Sequence, residues 1–146
     1  KEWISERNSE DFLNIFTELL SIINEYIRNR KCKICFENEG INNFVSKCYD
    51  VISNYDHIYL TWDVGHDASG DFKASKIMEK YKSKIAHMHL HDYNDQKNHN
   101  PLFSGKLDVI KYFNFAKEYN INIVIEVKTS ESLKDSVKML NERIKK

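Results

Sequence analysis

The sequence predicts an α/β protein in which a leading helix is followed by four strand–helix units that build a parallel sheet. Three observations predict it. Helix-type and strand-type periodicity alternate along the chain, and the strands are short, near-continuous apolar runs of the kind buried in parallel sheets. In each strand the polar terminal residue (Glu37, Asp63, His89 or Glu126) lies on the face opposite the bulky aliphatics. Parallel strands bring such ends to one edge of a sheet, where α/β enzymes place their chemistry.

Taken in order, residues 10–29 form the clearest helix, with Phe12, Ile15, Phe16, Leu19, Ile22, Ile23, Tyr26 and Ile27 at helical spacing and Ser9 as the expected cap. Lys33–Glu37 follows as a strand with Ile34 and Phe36 on one face and Cys35 and Glu37 on the other. The Cys32-x-x-Cys35 pair resembles a metal knuckle, but its spacing in a strand points the thiols apart, whereas zinc needs convergent ligands. Gly40 allows a turn, and residues 41–53 read as a less regular helix.

The second strand, Ile58–Asp63, runs into Val64-Gly65-His66, and residues 71–82 form a weak amphipathic helix. The third strand is Ile85–Asp92, IAHMHLHD, with Ala86, Met88 and Leu90 on one face and His87, His89 and His91 on the other. A polar loop over Tyr93–Gly105 is long enough to be a binding loop. Helix 108–119 with Asp108 as cap, strand Ile121–Val127 and a last helix capped by Ser130 complete the chain.

Composition narrows the function. The chain has 146 residues, 41% hydrophobic and 30% charged, which suits one globular unit or part of one. Lysine plus arginine equals aspartate plus glutamate at 22 each, which argues against a nucleic-acid partner. No apolar run is long enough to span a membrane, and three cysteines make no disulfide framework, so a cytoplasmic location is expected. A first residue of Lys1 suggests a piece of something longer. Two glutamates, an aspartate and a histidine converging from four strands form a mixed oxygen and nitrogen ligand set. Such a set suits Mn, Mg, Co or Zn, so Glu37, Asp63, His89 and Glu126 are the expected metal ligands.

Five motifs then carry a resemblance: FEN at 36–38, DVGH at 63–66, HLHD at 89–92, the loop from His99 to Gly105, and IEV at 125–127. In order and spacing they resemble the C-terminal half of the xylose isomerase-like TIM barrels, a superfamily of sugar isomerases and epimerases, inosose dehydratases and endonuclease IV-like repair enzymes. The resemblance covers residues 10–146 and implies a half-barrel of four βα units, strands five to eight of a TIM barrel. Such a barrel needs about 250 residues, so residues 1–146 would be a single domain and a fragment. It also implies the same four ligands, with Glu37 and Glu126 as the catalytic acid–base pair and His66, His91 and His99 as substrate-binding residues. In the endonucleases an aspartate stands two positions before the residue matching His99; here it is Lys97, which disfavours their trinuclear site. Phe103 likewise replaces a glycine of the family loop.

The function these readings imply is a metal-dependent isomerase or epimerase of a sugar or sugar derivative, moving a proton between carbons next to a polarised carbonyl. Abasic-site phosphodiester cleavage and a non-catalytic half-barrel are the alternatives. An open sheet of four strands leaves two unpaired edges. The chain is therefore expected to pair with a second copy or with a missing N-terminal half, and to be inactive as an isolated half.

Overall fold

The computed structural model describes residues 6–38, 42–95 and 97–145. Its elements are α1 (Glu6–Ile27), β1 (Ile34–Glu37), α2 (Asn43–Ser53), β2 (Ile58–Asp63), α3 (Val64–Ser69), α4 (Ser75–Lys80), a short turn of 3-10 helix (Lys82–Lys84), β3 (Ile85–Leu90), α5 (Val109–Glu118), β4 (Asn122–Ile125) and α6 (Ser130–Ile144). All neighbouring strands pair parallel, in the order β1-β2-β3-β4. The α/β class and the parallel four-stranded sheet expected from the sequence are thus present.

The two faces of the sheet have different fates. Ile58, Leu60 and Trp62 of β2 and Met88 and Leu90 of β3 are buried, and the same core takes in Leu20 and Ile27 of α1, Tyr49 and Ile52 of α2, and Tyr112 and Ala116 of α5. On the opposite face Cys35, Tyr59, His87 and His89 are only half-buried, and Val124 is exposed. Burial of the apolar face against helices is what specifies the register, since a one-residue slip would turn every aliphatic outward.

Register is not uniform. Leu60 pairs with Ile85 but Thr61 pairs with His87, so Ala86 is an inserted residue without a partner. This bulge puts Ile85 on the same face as Met88, three residues on, while His87 and His89 stay on the polar face beside Thr61 and Asp63. Ala86 therefore does not simply share a face with Met88 and Leu90, as strict alternation would have it.

Other boundaries differ for local reasons. α1 already runs through Ser9, so that residue is not its cap. Thr129 rather than Ser130 caps α6, accepting from the Ser132 N–H. The expected helix 71–82 is shortened to α4, Ser75–Lys80, because the chain already turns helical in α3 directly after β2 and is broken at Asp71 and Phe72, whose φ values are 63° and 56°. Buried Asp67 spans that interruption, accepting from Trp62 Nε1, Ala74 N and Ser75 Oγ. The turn expected at Gly40 lies outside the described residues.

The long loop after β3 is tied rather than loose. The buried carboxylate of Asp92 accepts from the N–H groups of Tyr93, Gly105 and Leu107 at 2.8–2.9 Å. A Cβ at Gly105 would stand 2.1 Å from the Tyr93 carbonyl oxygen, so only glycine fits this closure. Phe103 holds the left-handed conformation (φ 68°) where the motif resemblance has a glycine, with the Arg143 guanidinium 4.4 Å from its ring centre. No helix among the described residues is long and apolar enough to cross a membrane.

Candidate metal centre

Glu37, Asp63 and His89 have ligand atoms within 4.8 Å of one another, and Glu126 lies beside His89. His89 Nδ1 lies 3.3 Å from a Glu37 oxygen, 3.6 Å from Asp63 Oδ2 and 3.2 Å from Glu126 Oε2. Phasing explains this, since Glu37 ends β1, Asp63 ends β2 and His89 pairs directly with Asp63 in register. Glu126 follows β4 by one residue, held there by its N–H donating to the Leu90 carbonyl. Three carboxylates around one imidazole repel one another unless a cation sits among them. Asp63 Oδ2 is buried without a hydrogen-bond partner, a costly state for a carboxylate oxygen. An unpartnered buried oxygen and a convergent O/N donor set could hold a metal ion.

The residues that hold Asp63 are partly ones whose roles the motifs do not reveal. Buried Asn38 clamps its backbone from both sides: Oδ1 accepts from the Asp63 N–H at 2.6 Å and Nδ2 donates to its carbonyl at 3.1 Å. This ties the end of β1 to the end of β2 and explains the asparagine in FEN. Asp63 Oδ1 also accepts from the His66 N–H at 2.7 Å, capping α3. The sequence signal was present, because Asp-x-x-His straight after a strand is also a helix start.

His91 is fully buried in this chain. Its Nδ1 accepts from the His99 N–H at 2.9 Å, so the neutral ring carries its proton on Nε2, which faces Asp63 Oδ1 at 3.2 Å. The ring lies directly on Gly65, where a Cβ would stand 2.1 Å from Cε1. His91 is thus a support beneath Asp63, ordered by loop residue 99 and by the absence of a side chain at 65.

His66 and His99 border the centre. His66 Nε2 is 3.9 Å from Asp63 Oδ2, and its Nδ1 is 3.1 Å from Asn98 Nδ2. His99 Nδ1 is 3.9 Å from Glu126 Oε1, and its ring stacks on His91 with centres 4.1 Å apart. With His91 they form a second group whose nitrogens lie within 4.8 Å of one another. His66 is accessible from solvent and His99 half-buried. On the polar sheet face an open depression lined by Lys33, Cys35, Thr61, His87 and Asn122 leads to Glu37 and His89.

Charge coupling sets a pH signature. Burial pushes Asp63 up, but His91 beside it and the His66 N–H outweigh this and hold the carboxyl below its usual range. Burial pushes His91 down, yet the Asp63 carboxylate outweighs it and leaves the imidazole above its usual value. In metal-free protein the Asp63 contribution is present above about pH 4 and lost as pH falls through its lowered folded pKa. The His91 contribution is present below about pH 6.5 and lost as pH rises through its raised folded pKa. Urea denaturation in chelator should therefore show greatest stability from about pH 4 to 6.5, with both limbs flattened in Asp63→Asn. Identical pH profiles for parent and variant would exclude the coupling.

No protein-family model and no curated protein matches this chain. Among solved structures, the chain is similar to apo 3-keto-D-glucoside 4-epimerase, YcjR, from E. coli, with a TM-score of 0.63 and 14% identity over 94% of this chain. The chain spans 55% of that protein's length. This match corrects the resemblance drawn from the sequence: the likeness found is to the 4-epimerase, and assignment to the xylose isomerase-like superfamily and its TIM barrel is withdrawn. The physical reason is that motifs of three to seven residues at strand ends are what a parallel α/β metal site requires of any chain. What the match carries is the fold, an α/β layer with four parallel strands and helices.

Proposed function

We propose that this chain carries the metal-holding part of a sugar isomerase or epimerase acting on a small sugar or sugar derivative. The observation that carries the reading is His89 within 3.2–3.6 Å of three carboxylates, beside a buried Asp63 oxygen that lacks a hydrogen-bond partner. The fold match to a sugar epimerase supports it. Because the chain spans only 55% of that epimerase, the sheet here would work as half of a larger closed unit whose remainder covers the polar face.

In this reading Glu37, Asp63, His89 and Glu126 hold a divalent ion, which when bound polarises a substrate carbonyl and hydroxyl. Asp63, buried and clamped by Asn38, keeps its charge and position while substrates exchange. Glu37 and Glu126 have accessible carboxylates at opposite ends of the strand order, so each can approach the substrate from its own side. One takes a proton from the carbon beside the carbonyl; its bonding pair moves toward the carbonyl oxygen, and the other returns a proton to carbon. His66 and His99 stand where sugar hydroxyls would reach them.

Deuterium exchange at carbon, followed by NMR on aldoses, ketoses and keto-glycosides with Mn ion in heavy water, tests the reading. Glu37→Gln and Glu126→Gln should each slow exchange by roughly 100-fold or more with circular dichroism unchanged. Retained exchange in either variant removes that residue from proton transfer. No exchange on any of these substrates, in the metal-loaded chain and in a longer parent alike, rejects the function.

A further inference from the structure

α1 is apolar on more of its surface than the fold buries. Leu13, Phe16, Leu20, Ile23 and Ile27 form the inward ridge, with Leu20 and Ile27 buried. One residue behind it runs a second ridge with the same 3-4 spacing: Ile15, Leu19, Ile22 and Tyr26, which are 66%, 49%, 68% and 69% exposed. An apolar arc this wide belongs to a helix covered on two sides. The flank toward the segment between α2 and β2 is already in use, with Tyr55 hydrogen-bonded at Thr17 and Ser21 and the His57 N–H donating to Asn24. At helical spacing the exposed ridge falls on the opposite flank. Beyond it Asp11, Glu18 and Glu25 recur every seven residues and make an acidic rim.

The other end of the chain carries a counterpart. On α6, Leu133, Val137 and Ile144 are exposed beside the buried Ser136 and Leu140. The rim beyond that ridge is basic, formed by Lys134, Lys138 and Lys145. α1 packs on the edge strand β1 through Phe16 and Phe36, and α6 follows the other edge strand, β4. Two apolar ridges with rims of opposite charge therefore sit at opposite ends of one sheet.

We propose that the occupant of the α1 ridge is α6 of a second copy of this chain. Pairing α1 with α1 would set acidic rim against acidic rim, whereas α1 with α6 sets acid against base. Each contact joins two different helices, and two of them related by a two-fold axis form one isologous interface that closes a dimer. The reading is independent of the sugar-isomerase assignment.

Sedimentation velocity over a wide concentration range should show a dimer. Glu18→Lys/Glu25→Lys and Lys134→Glu/Lys138→Glu, all at solvent-facing positions, should each weaken it by roughly tenfold. Mixing the two variants should restore both contacts in the mixed dimer, and combining all four changes in one chain should restore parental association. Ile15→Glu/Ile22→Glu should leave a monomer with an unchanged circular dichroism spectrum. A parental monomer at every concentration overturns the proposal, as does a dimer that ignores the charge reversals or is not rescued by the combined variant. Those outcomes would leave the ridge to a different protein or to a preceding segment of a longer chain.

Discussion

Asp63→Asn is expected to lower divalent-ion affinity by about 100-fold or more, the largest loss from any single change at the centre. The substitution keeps the shape of a buried side chain, so the clamp from Asn38 to the Asp63 backbone survives. What it removes is charge at the one oxygen without a hydrogen-bond partner, the atom that lies 3.6 Å from His89 Nδ1. An amide there offers either a neutral oxygen, a weaker ligand, or an NH₂ group that repels a cation. His89→Ala should be comparably damaging, because it removes the nitrogen around which the three carboxylates gather. Asn38→Ala should cost less, about tenfold, since it loosens a ligand without deleting one. Calorimetric titration with Mn and Zn ions measures all three. Equal affinity in the parent, Asp63→Asn and His89→Ala would exclude a metal at this position.

How far this centre could be read from the chain depended on strand phase. Alternation within ICFE, IYLTWD and MHL is enough to assign Glu37, Asp63 and His89 to one face, because a buried apolar face leaves a single register. The bulge at Ala86 did not disturb the result, as it precedes His87 and His89 and leaves their mutual phase intact. Glu126 was readable for a similar reason, two residues on from Val124 although β4 ends at Ile125. Residues that act through long-range contact were not readable. His91 continues the alternation of its strand and so looked like a group on the open polar face, but its burial depends on loop residue 99 folding back over it and on Gly65 from another unit. Asn38 and Asp92 are likewise polar residues near strand ends whose partners lie 25 and 13–15 positions away.

The helices show the same division. α2, α5 and α6 were evident from period, and α5 also from its Asp108 cap, yet α3 was hidden, because Val64-Gly65-His66 reads as a turn while the Asp63 carboxylate caps a helix there. The apolar residues of α1 fall into two parallel ridges, and periodicity alone cannot say which ridge the protein buries.

Gly65→Ala should destabilise the protein by about 2–4 kcal/mol, a large effect for one added methyl group. The new Cβ would stand 2.1, 2.2 and 2.5 Å from Cε1, Nδ1 and Nε2 of His91, so the imidazole must move as a whole. This ring is not the free end of a flexible side chain. It is fully buried, accepts from the His99 N–H, stacks on the His99 ring and faces Asp63 at 3.2 Å. Displacing it therefore strains the packing and leaves Asp63 without its neighbour in a dry site. The expected signature is a melting temperature lower by roughly 5–15 °C, together with weakened ion binding although no ligand has been touched. His91→Ala alone should also destabilise, by about 2–3 kcal/mol, through a cavity and a lost partner. The two losses should not add. With the ring gone, the methyl group at position 65 enters space already vacated, and the double variant should be more stable than the sum of the singles predicts by about 1–3 kcal/mol. Strictly additive losses would mean that Gly65 is needed for its backbone rather than for the room it leaves to His91.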